Sequence, residues 1–475
     1  MRTLHHFVGG SWEESADAAC RELVNPANEL VVARFPVGSP EAVDRAVTAA
    51  TRAQPAWKAL PLAERVRRIG AWADRVADHA DELAELECQE MGRPVALGRS
   101  FVAAAAAELR AASAAAQAYA FESVVARADD GTSRIVRHPV GVAAVITPWN
   151  FPVATVLTAL GPLLAAGNTV VVKPSEKSPL SAVRLFELLT LPPGVANLVL
   201  GDARAGAPLS EHPDVALVHF TGSVEAGRQV AIAAGRRLRR SILELGGKDP
   251  VIVDAGVDPV ATAAAVATGS FLNSGQICTS MERIYVHRDV ATAFVDALVD
   301  AAAAQTLGDG HHPSTVLGPL VDAQQRDIVH AQVQDAVARG AKVRIGGEVP
   351  IGAGFFYPAT VLTGVDDSMT IMNEETFGPV APVQVVASFD EALTLASRSR
   401  FGLAATVYTD DPGHASAAEA IPAGITWINR WQGGGPERVY EPARDSGTGA
   451  TGAHAAYDAA TRPSTIHIAP PPRSG

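Results

Sequence analysis

The sequence predicts an α/β protein built from two parallel-sheet domains, and three observations carry that reading. From Ser133 onward, short β-branched runs alternate with helical stretches: RIVRHPVGVAAVITP, NTVVVKPSE, NLVLGD, VALVHFTGS, RRSILELGGKDPVIV and RIYVH. Strands that alternate with helices imply parallel sheets. A second series of the same kind follows Val316, with AKVRIGG, FFYPATVLT, PVQVVASF and ATVYT spaced by helical pieces such as AQQRDIVHAQVQDAVARG. The length of 475 residues exceeds the roughly 250 to 300 at which a single hydrophobic core stops growing, so two or three domains are expected.

The N-terminal stretch MRTLHHFVGGSWEES has no long apolar run after its positive charge and does not read as a secretory signal, so the mature chain is expected to start at or near Met1. Residues from about Glu41 to Phe121 are expected to be helical, because apolar positions recur at helical spacing in LAERVRRIGAWADRVADHADELAELE. The most apolar window, Phe151 to Gly167, is interrupted by Pro152 and Pro162. It falls short of the roughly 20 residues that cross a bilayer, and so reads as a buried helix. The tail TIHIAPPPRSG begins at Thr465 as an alternating strand and ends in a Pro-rich extension expected to fray. No internal repeat or low-complexity linker divides the chain.

Fifty-one acidic residues against 39 Lys and Arg give a net charge of -12, with a pI near 5.6. That balance offers no basic patch for a phosphate backbone or an anionic membrane surface, which excludes nucleic acid and lipid headgroups as partners. Three widely spaced cysteines, Cys20, Cys88 and Cys278, make no disulfide framework and have no CxxC zinc spacing. A reducing cytoplasm is the simplest compartment. His5 and His6, and His311 and His312, form two short pairs without further ligands around them, so no metal is expected.

Cys278 lies in FLNSGQICTS, after Gly275 and Gln276 and before Thr279 and Ser280. Such residues permit a tight turn with free N–H groups near the sulfur, which lower a thiol pKa and can stabilise an oxyanion. Taken alone, Cys278 reads first as a small buried filler, since free Cys is among the most buried residue types, and Cys20 and Cys88 read the same way. Glu244, in ILELGGKDPVIV, ends an apolar run immediately before Leu245, Gly246 and Gly247. That is the placement of a general base beside backbone a substrate can approach, or of an ordinary solvated strand-end Glu. Asn150, in ITPWNFP, is held between Trp149 and Phe151 in a proline-braced turn, either as a donor to developing negative charge or as a turn former. Lys173 and Glu176 close the strand NTVVVKPSE, a position suited to ribose hydroxyls at the carboxyl edge of a parallel sheet. Gly222, Ser223 and Gly227 open a helix after VALVHF, where free N–H groups and the dipole attract phosphate.

The motifs PWNFP, KPSE, FTGS, ELGGK, GQIC and EETFGPV occur together in this order, and by them the chain resembles the NAD(P)-dependent aldehyde dehydrogenase superfamily from about Phe7 to Ile468. The resemblance implies an α/β fold with a Rossmann-type cofactor domain, an α/β catalytic domain and a small β oligomerisation element. The implied division is 1–123 and 142–246 for NAD binding, 247–449 for catalysis, and 124–141 with 450–475 for the oligomerisation element and tail.

Under the resemblance Cys278 attacks the aldehyde to give a thiohemiacetal, the Asn150 side chain and the Cys278 N–H hold its oxyanion, and Glu244 activates water to hydrolyse the resulting thioester. The cofactor residues it implies are Lys173, Glu176, Gly222, Ser223, Gly227, Leu245, Glu375, Phe377 and Trp149. Glu176 favours NAD over NADP by repelling a 2′-phosphate, and Lys177 beside it can offset that repulsion. A small-molecule aldehyde and a homodimer or homotetramer are implied as partners. CoA-acylating relatives lack a carboxylate at the ELGGK position, so Glu244 argues for water as acyl acceptor. A non-catalytic binding protein that kept the fold is the other alternative.

The family's PFGGxKxSGxGRE stretch is replaced here by WINRWQGGGPERVYEPARDSGTGATGA, in which only SGTG, Ser446 to Gly449, matches. Arg430 and Trp431 fall where relatives line the substrate tunnel. Arg430 reads either as a fork for a carboxylate-bearing semialdehyde or as an arginine packed on Trp431 at a surface.

Overall fold

A computed structural model describes residues 1–13, 19–128, 131–435 and 437–471. The expected helical region forms four helices, Pro40–Ala59, Leu62–Asp78, Ala80–Met91 and Val95–Ala115. Ser39 caps the first by accepting from the Ala42 N–H, with Pro40 preset in the first turn. The second turns Ile69, Trp72, Ala73 and Val76 inward. They join Trp57, Leu109, Leu157, Leu160 and Val170 in one core, and so the apolar helix Pro152–Ala165 is buried as its composition requires.

The first sheet has eight strands. Five central ones run parallel, in the spatial order Arg240–Glu244, Val215–Thr221, Val142–Ile146, Thr169–Lys173 and Ala196–Leu198. The chain moves outward from Val142–Ile146 to Ala196–Leu198 and then returns to the other side, so the order reverses between Val142–Ile146 and Val215–Thr221. Ligands of open α/β sheets bind outside the carboxyl ends of strands at such a reversal. Asn150, Lys173, Gly222 and Glu244 all lie at or just beyond those carboxyl ends. His6–Val8 and Ser11–Glu13 extend one edge antiparallel. The other edge is Gly447–Thr448, which pairs antiparallel with Arg240–Glu244; the end of the segment expected in the catalytic domain therefore hydrogen-bonds to this first sheet.

The second sheet has seven strands in the order Lys342–Ile345, Thr360–Thr363, Val380–Val386, Met281–His287, Asp249–Val253, Ala404–Tyr408 and Ile425–Ile428. All pairings but the first are parallel. RRSILELGGKDPVIV therefore contributes one strand to each sheet, with Leu245 to Lys248 as the link. This link decides where the chemistry sits. Glu244 is the last residue of a strand in the first sheet, whereas Asp249 and its partner Met281 begin strands in the second. Cys278, three residues before Met281, thus comes to the same seam from the opposite side.

Glu122–Ala128, Gly131–Pro139 and Thr461–Ile468 form a separate three-stranded antiparallel sheet, in the order Thr461–Ile468, Gly131–Pro139, Glu122–Ala128. These strands fall on the hairpin and tail that the resemblance implied, starting two residues before the hairpin at 124 and four before Thr465. Of the Pro-rich end expected to fray, Pro470 and Pro471 are exposed and outside any helix or strand, and residues 472–475 lie outside the described residues.

Candidate active site

The loop before Cys278 is built by an unusual backbone. Asn273, Ser274 and Gly275 all have positive φ, at 54°, 58° and 69°, and a run of left-handed residues reverses the chain sharply at the end of the helix Pro259–Phe271. The strain is held by side-chain bonds. Ser274 Oγ donates to Gly318 O at 2.8 Å, Gln276 Oε1 accepts from the Val321 N–H at 2.9 Å, and Gln276 Nε2 donates to Asn273 O at 3.2 Å. Cys278 emerges half-buried. Desolvation, with the charges of Asp249, Glu375 and Glu244 nearby, pushes its thiol up to about 12, against the Thr279 N–H that bonds the sulfur. The thiol is therefore protonated at neutral pH and needs a base when it attacks.

Gly247 passes so close that a Cβ there would stand 2.6 Å from the Cys278 carbonyl oxygen. Only glycine permits this approach between the link and the thiol loop.

Asn150 is buried beside this loop. Its Nδ2 donates to Gln276 O at 2.9 Å, and because an amide nitrogen carries two protons, the other is left for an oxyanion. The backbone of Asn150 is fixed by Arg93, a residue the sequence reading passed over. Arg93 donates Nη2 to Asn150 O, Nε to Asn273 Oδ1 at 3.0 Å and Nη1 to Glu87 Oε2 at 2.6 Å. Its guanidinium also lies 4.5 Å from the Phe151 ring centre. One buried cation thus ties the oxyanion donor to the thiol loop. Removing one partner of a buried pair strands the other, and Arg93→Met is expected to cost about 3 to 5 kcal/mol of stability, read as a lower urea midpoint; a midpoint unchanged from the parent would contradict this role.

Glu244 ends its strand with its side chain largely buried. Burial pushes its carboxyl up to about 7, opposed by the Thr451 and Tyr440 hydroxyls beside it. Thr451 Oγ1 donates to Glu244 Oε1 at 3.0 Å. A carboxylate near the operating pH is matched to taking a proton from water or thiol. Its charge is felt at the Cys278 sulfur, which brings base and nucleophile to one site.

The residues expected to hold a dinucleotide line the carboxyl edge of the first sheet. Lys173 Nζ donates to Pro174 O at 2.8 Å and Gly201 O at 2.9 Å and stands 3.9 Å from Glu176 Oε2. An ammonium has three protons, so one remains toward Glu176, a donor and acceptor pair that suits a ribose diol. Ser223 caps Val224–Arg236, accepting from the Ala226 N–H at 3.4 Å, and Gly227 leaves room for Leu245, which a Cβ there would overlap. Trp149 and Phe377 meet edge to face at 5.3 Å. Lys177, which could have offset Glu176, is paired to Asp322 Oδ2 at 2.7 Å.

Glu375 accepts from the Gly247 N–H at 3.0 Å, and its carboxyl is pushed up to about 8 by burial and by Glu282. The turn that carries it is pinned by Glu282, whose carboxylate accepts from the Thr376 and Phe377 N–H groups at 2.8 Å each and from Lys248 Nζ at 2.7 Å. Phe377 itself has φ 52°, which explains why the turn needs such holding.

The sequence profile of the aldehyde dehydrogenase family matches residues 12–466. The chain belongs to that family. It is 37% identical over 475 residues to the 3,6-anhydro-alpha-L-galactose dehydrogenase of Streptomyces coelicolor, covering 97% of this chain and 96% of that one. It is 36% identical over 468 residues to the 2-hydroxymuconic semialdehyde dehydrogenase of Pseudomonas sp. strain CF600, covering 95% and 96%. The crystal structure of PnpE in complex with nicotinamide adenine dinucleotide superposes with a TM-score of 0.96 at 34% identity, covering 99% of this chain and 98% of that one.

Other expectations for this aldehyde dehydrogenase meet the structure unevenly. Trp431 reaches the thiol loop, donating Nε1 to Thr279 O at 3.0 Å, whereas Arg430 is exposed and donates Nε to Gln432 O at 3.1 Å in its own loop. Cys88 is buried, but Cys20 is exposed on the edge strand Cys20–Val24 and fills no core. His311 is not without neighbours: Asp309 lies 2.6 Å from its Nδ1, Glu85 2.7 Å from its Nε2 and Cys88 Sγ 3.7 Å from Nδ1. Both ring nitrogens are thereby engaged by carboxylates, whose bonds raise the His311 pKa against the effect of burial. Through His311 the cluster ties Ala80–Met91 to the loop at 309–311. Among the described residues no helix is long and apolar enough to cross a membrane.

Proposed function

We propose that this protein oxidises an aldehyde to the carboxylic acid with NAD, through a covalent Cys278 intermediate hydrolysed by a water that Glu244 activates. The observation that carries the proposal is the convergence of Cys278, Glu244 and the Asn150 amide on one seam between two sheets. As the sulfur adds to the aldehyde carbon, Glu244 takes the thiol proton, and the free Asn150 N–H and the Cys278 N–H hold the oxygen as it becomes negative.

Lys173 and Glu176 would hold a ribose of the dinucleotide, the amides after Ser223 its diphosphate, and Glu375, Phe377 and Trp149 the nicotinamide end. The bound nicotinamide supplies the hydride acceptor that converts the thiohemiacetal to a thioester. In the second half Glu244, having released the thiol proton to solvent, takes a proton from water as the water oxygen adds to the thioester carbonyl. The C–S bond then breaks, the carboxylic acid leaves, and the departing thiolate takes that proton back from Glu244. NAD is favoured over NADP because Glu176 repels a 2′-phosphate and Lys177 is engaged by Asp322.

A semialdehyde is the substrate class favoured, on the Pseudomonas relative's name and on Arg430, an exposed arginine next to the Trp431 that bonds the thiol loop. A homo-oligomer in the cytoplasm completes the reading. The edge strand Glu122–Ala128 leaves Val124 and Val125 about half exposed, and an unpaired apolar edge of this kind invites a second copy. The three cysteines are free thiols, as a reducing compartment keeps them.

The test is the rate of NADH and of NADPH formation by the purified protein against succinate semialdehyde, neutral aliphatic aldehydes and aromatic aldehydes. NADH formation with at least one of them, faster than NADPH formation at equal cofactor, is the expected result. No turnover of any aldehyde with either cofactor would sink the proposal.

A further inference from the structure

The C-terminal segment that departs from the family pattern folds back onto Glu244. Gly447 pairs with Glu244 and Thr448 with Leu243 in the edge strand. Just before it, Ser446 O accepts the Leu245 N–H at 2.9 Å and Ser446 Oγ donates to Gly246 O at 2.7 Å. The arms on either side of this strand then close on each other: the Tyr440 N–H donates to Thr451 O at 3.2 Å and the Thr451 N–H to Tyr440 O at 2.9 Å. This bridge brings two hydroxyls to one carboxylate. Thr451 Oγ1 donates to Glu244 Oε1 at 3.0 Å, and the Tyr440 phenol lies beside the same carboxyl, where burial and the charges of Glu244 and Cys278 raise its pKa.

We propose that Tyr440 and Thr451 are positioning residues for the reaction, a pair of hydroxyls that holds the Glu244 carboxylate toward the thiol. The inference rests on the reading of Glu244 as the base. Its physical basis is that a buried carboxylate loses solvation when ionised, and hydroxyl donors return part of that stabilisation to the charged form only. Without them Glu244 holds its proton to higher pH, and fewer molecules carry a competent base at neutrality. The departure from the family pattern thus supplies, rather than dismantles, part of the site.

The experiment compares Tyr440→Phe, Thr451→Val and Thr451→Ser with the parent, measuring steady-state NADH formation against pH and the amplitude of the first-turnover burst. Tyr440→Phe and Thr451→Val are each expected to move the acid limb of kcat upward by about half a pH unit or more, with burst amplitude kept at high pH. Thr451→Ser, which retains the hydroxyl, should restore the parent profile. A purely structural role would lower the rate at every pH and leave the limb in place, and that result overturns the inference. Thr451→Val is nearly isosteric and carries the same expectation should Tyr440→Phe fail to fold. Glu244→Gln, run alongside, separates the two readings. If it turns over like the parent, the base assignment falls and this inference with it; if it loses turnover while the hydroxyl variants keep the parent limb, the inference alone is wrong.

Discussion

Replacing Cys278 with alanine is expected to lower kcat for aldehyde oxidation by roughly 10⁴-fold or more, since the variant loses the covalent route itself and not a contact that tunes it. No other thiol can take over: Cys88 is buried against His311, and Cys20 sits on an edge strand of a separate three-stranded sheet. The fold should survive, because the side chain lost is small and only half-buried and the loop is held by Ser274, Gln276 and Asn273 rather than by the sulfur. The measurement is NADH absorbance with the best aldehyde of the panel, beside a thermal melt. Turnover of the variant within about tenfold of the parent, far above what loss of a nucleophile permits, would remove Cys278 from the mechanism.

Much of this arrangement was legible in the sequence because parallel α/β sheets put chemistry at predictable places. Runs such as TVVVK and VALVHF end where Lys173 and the glycines of FTGS begin, so reading the strands also located the carboxyl edge of the first sheet. The motif ELGGK marked both Glu244 and the crossing between sheets, since two consecutive glycines are needed where the link passes Cys278 and Glu375.

Illegible were partnerships between distant residues. Nothing in MGRP announces that Arg93 meets Asn150 and Asn273, residues 57 and 180 positions away, or that Glu282 pins the turn at Thr376 and Phe377. His311 looked unaccompanied because Glu85 and Cys88 come to it from a helix more than 200 residues earlier. Tyr440 carried no signal at all, because it lies where the family motif is missing and its role depends on an edge strand only two residues long.

The same seam gives Glu244→Gln its expected signature, a separation of the two halves of the reaction. Glutamine is nearly isosteric and can still bond Thr451, so the fold and the donors at Asn150 are expected to persist. What it cannot do is accept a proton from water. The first turnover should therefore proceed, slowed where Glu244 takes the thiol proton, and then stall as a thioester on Cys278; steady-state kcat should fall about 10² to 10⁴-fold, the contribution typical of a general base. Rapid mixing should give a burst of NADH approaching one per active site, and mass spectrometry of the quenched protein should find the acyl group on the Cys278 peptide.

In the parent the sign of the pH dependence follows from the carboxyl being pushed up to about 7. It is protonated and idle below that pH and ionised above it, so kcat should climb through pH 7, whereas the glutamine variant has no group there to titrate and should lose that limb. The thiol, pushed up to about 12, ionises too far to the alkaline side to produce a rise near neutrality, which leaves Glu244 as its source. A glutamine variant that kept both the limb near pH 7 and the parent kcat would mean that some other group supplies the base.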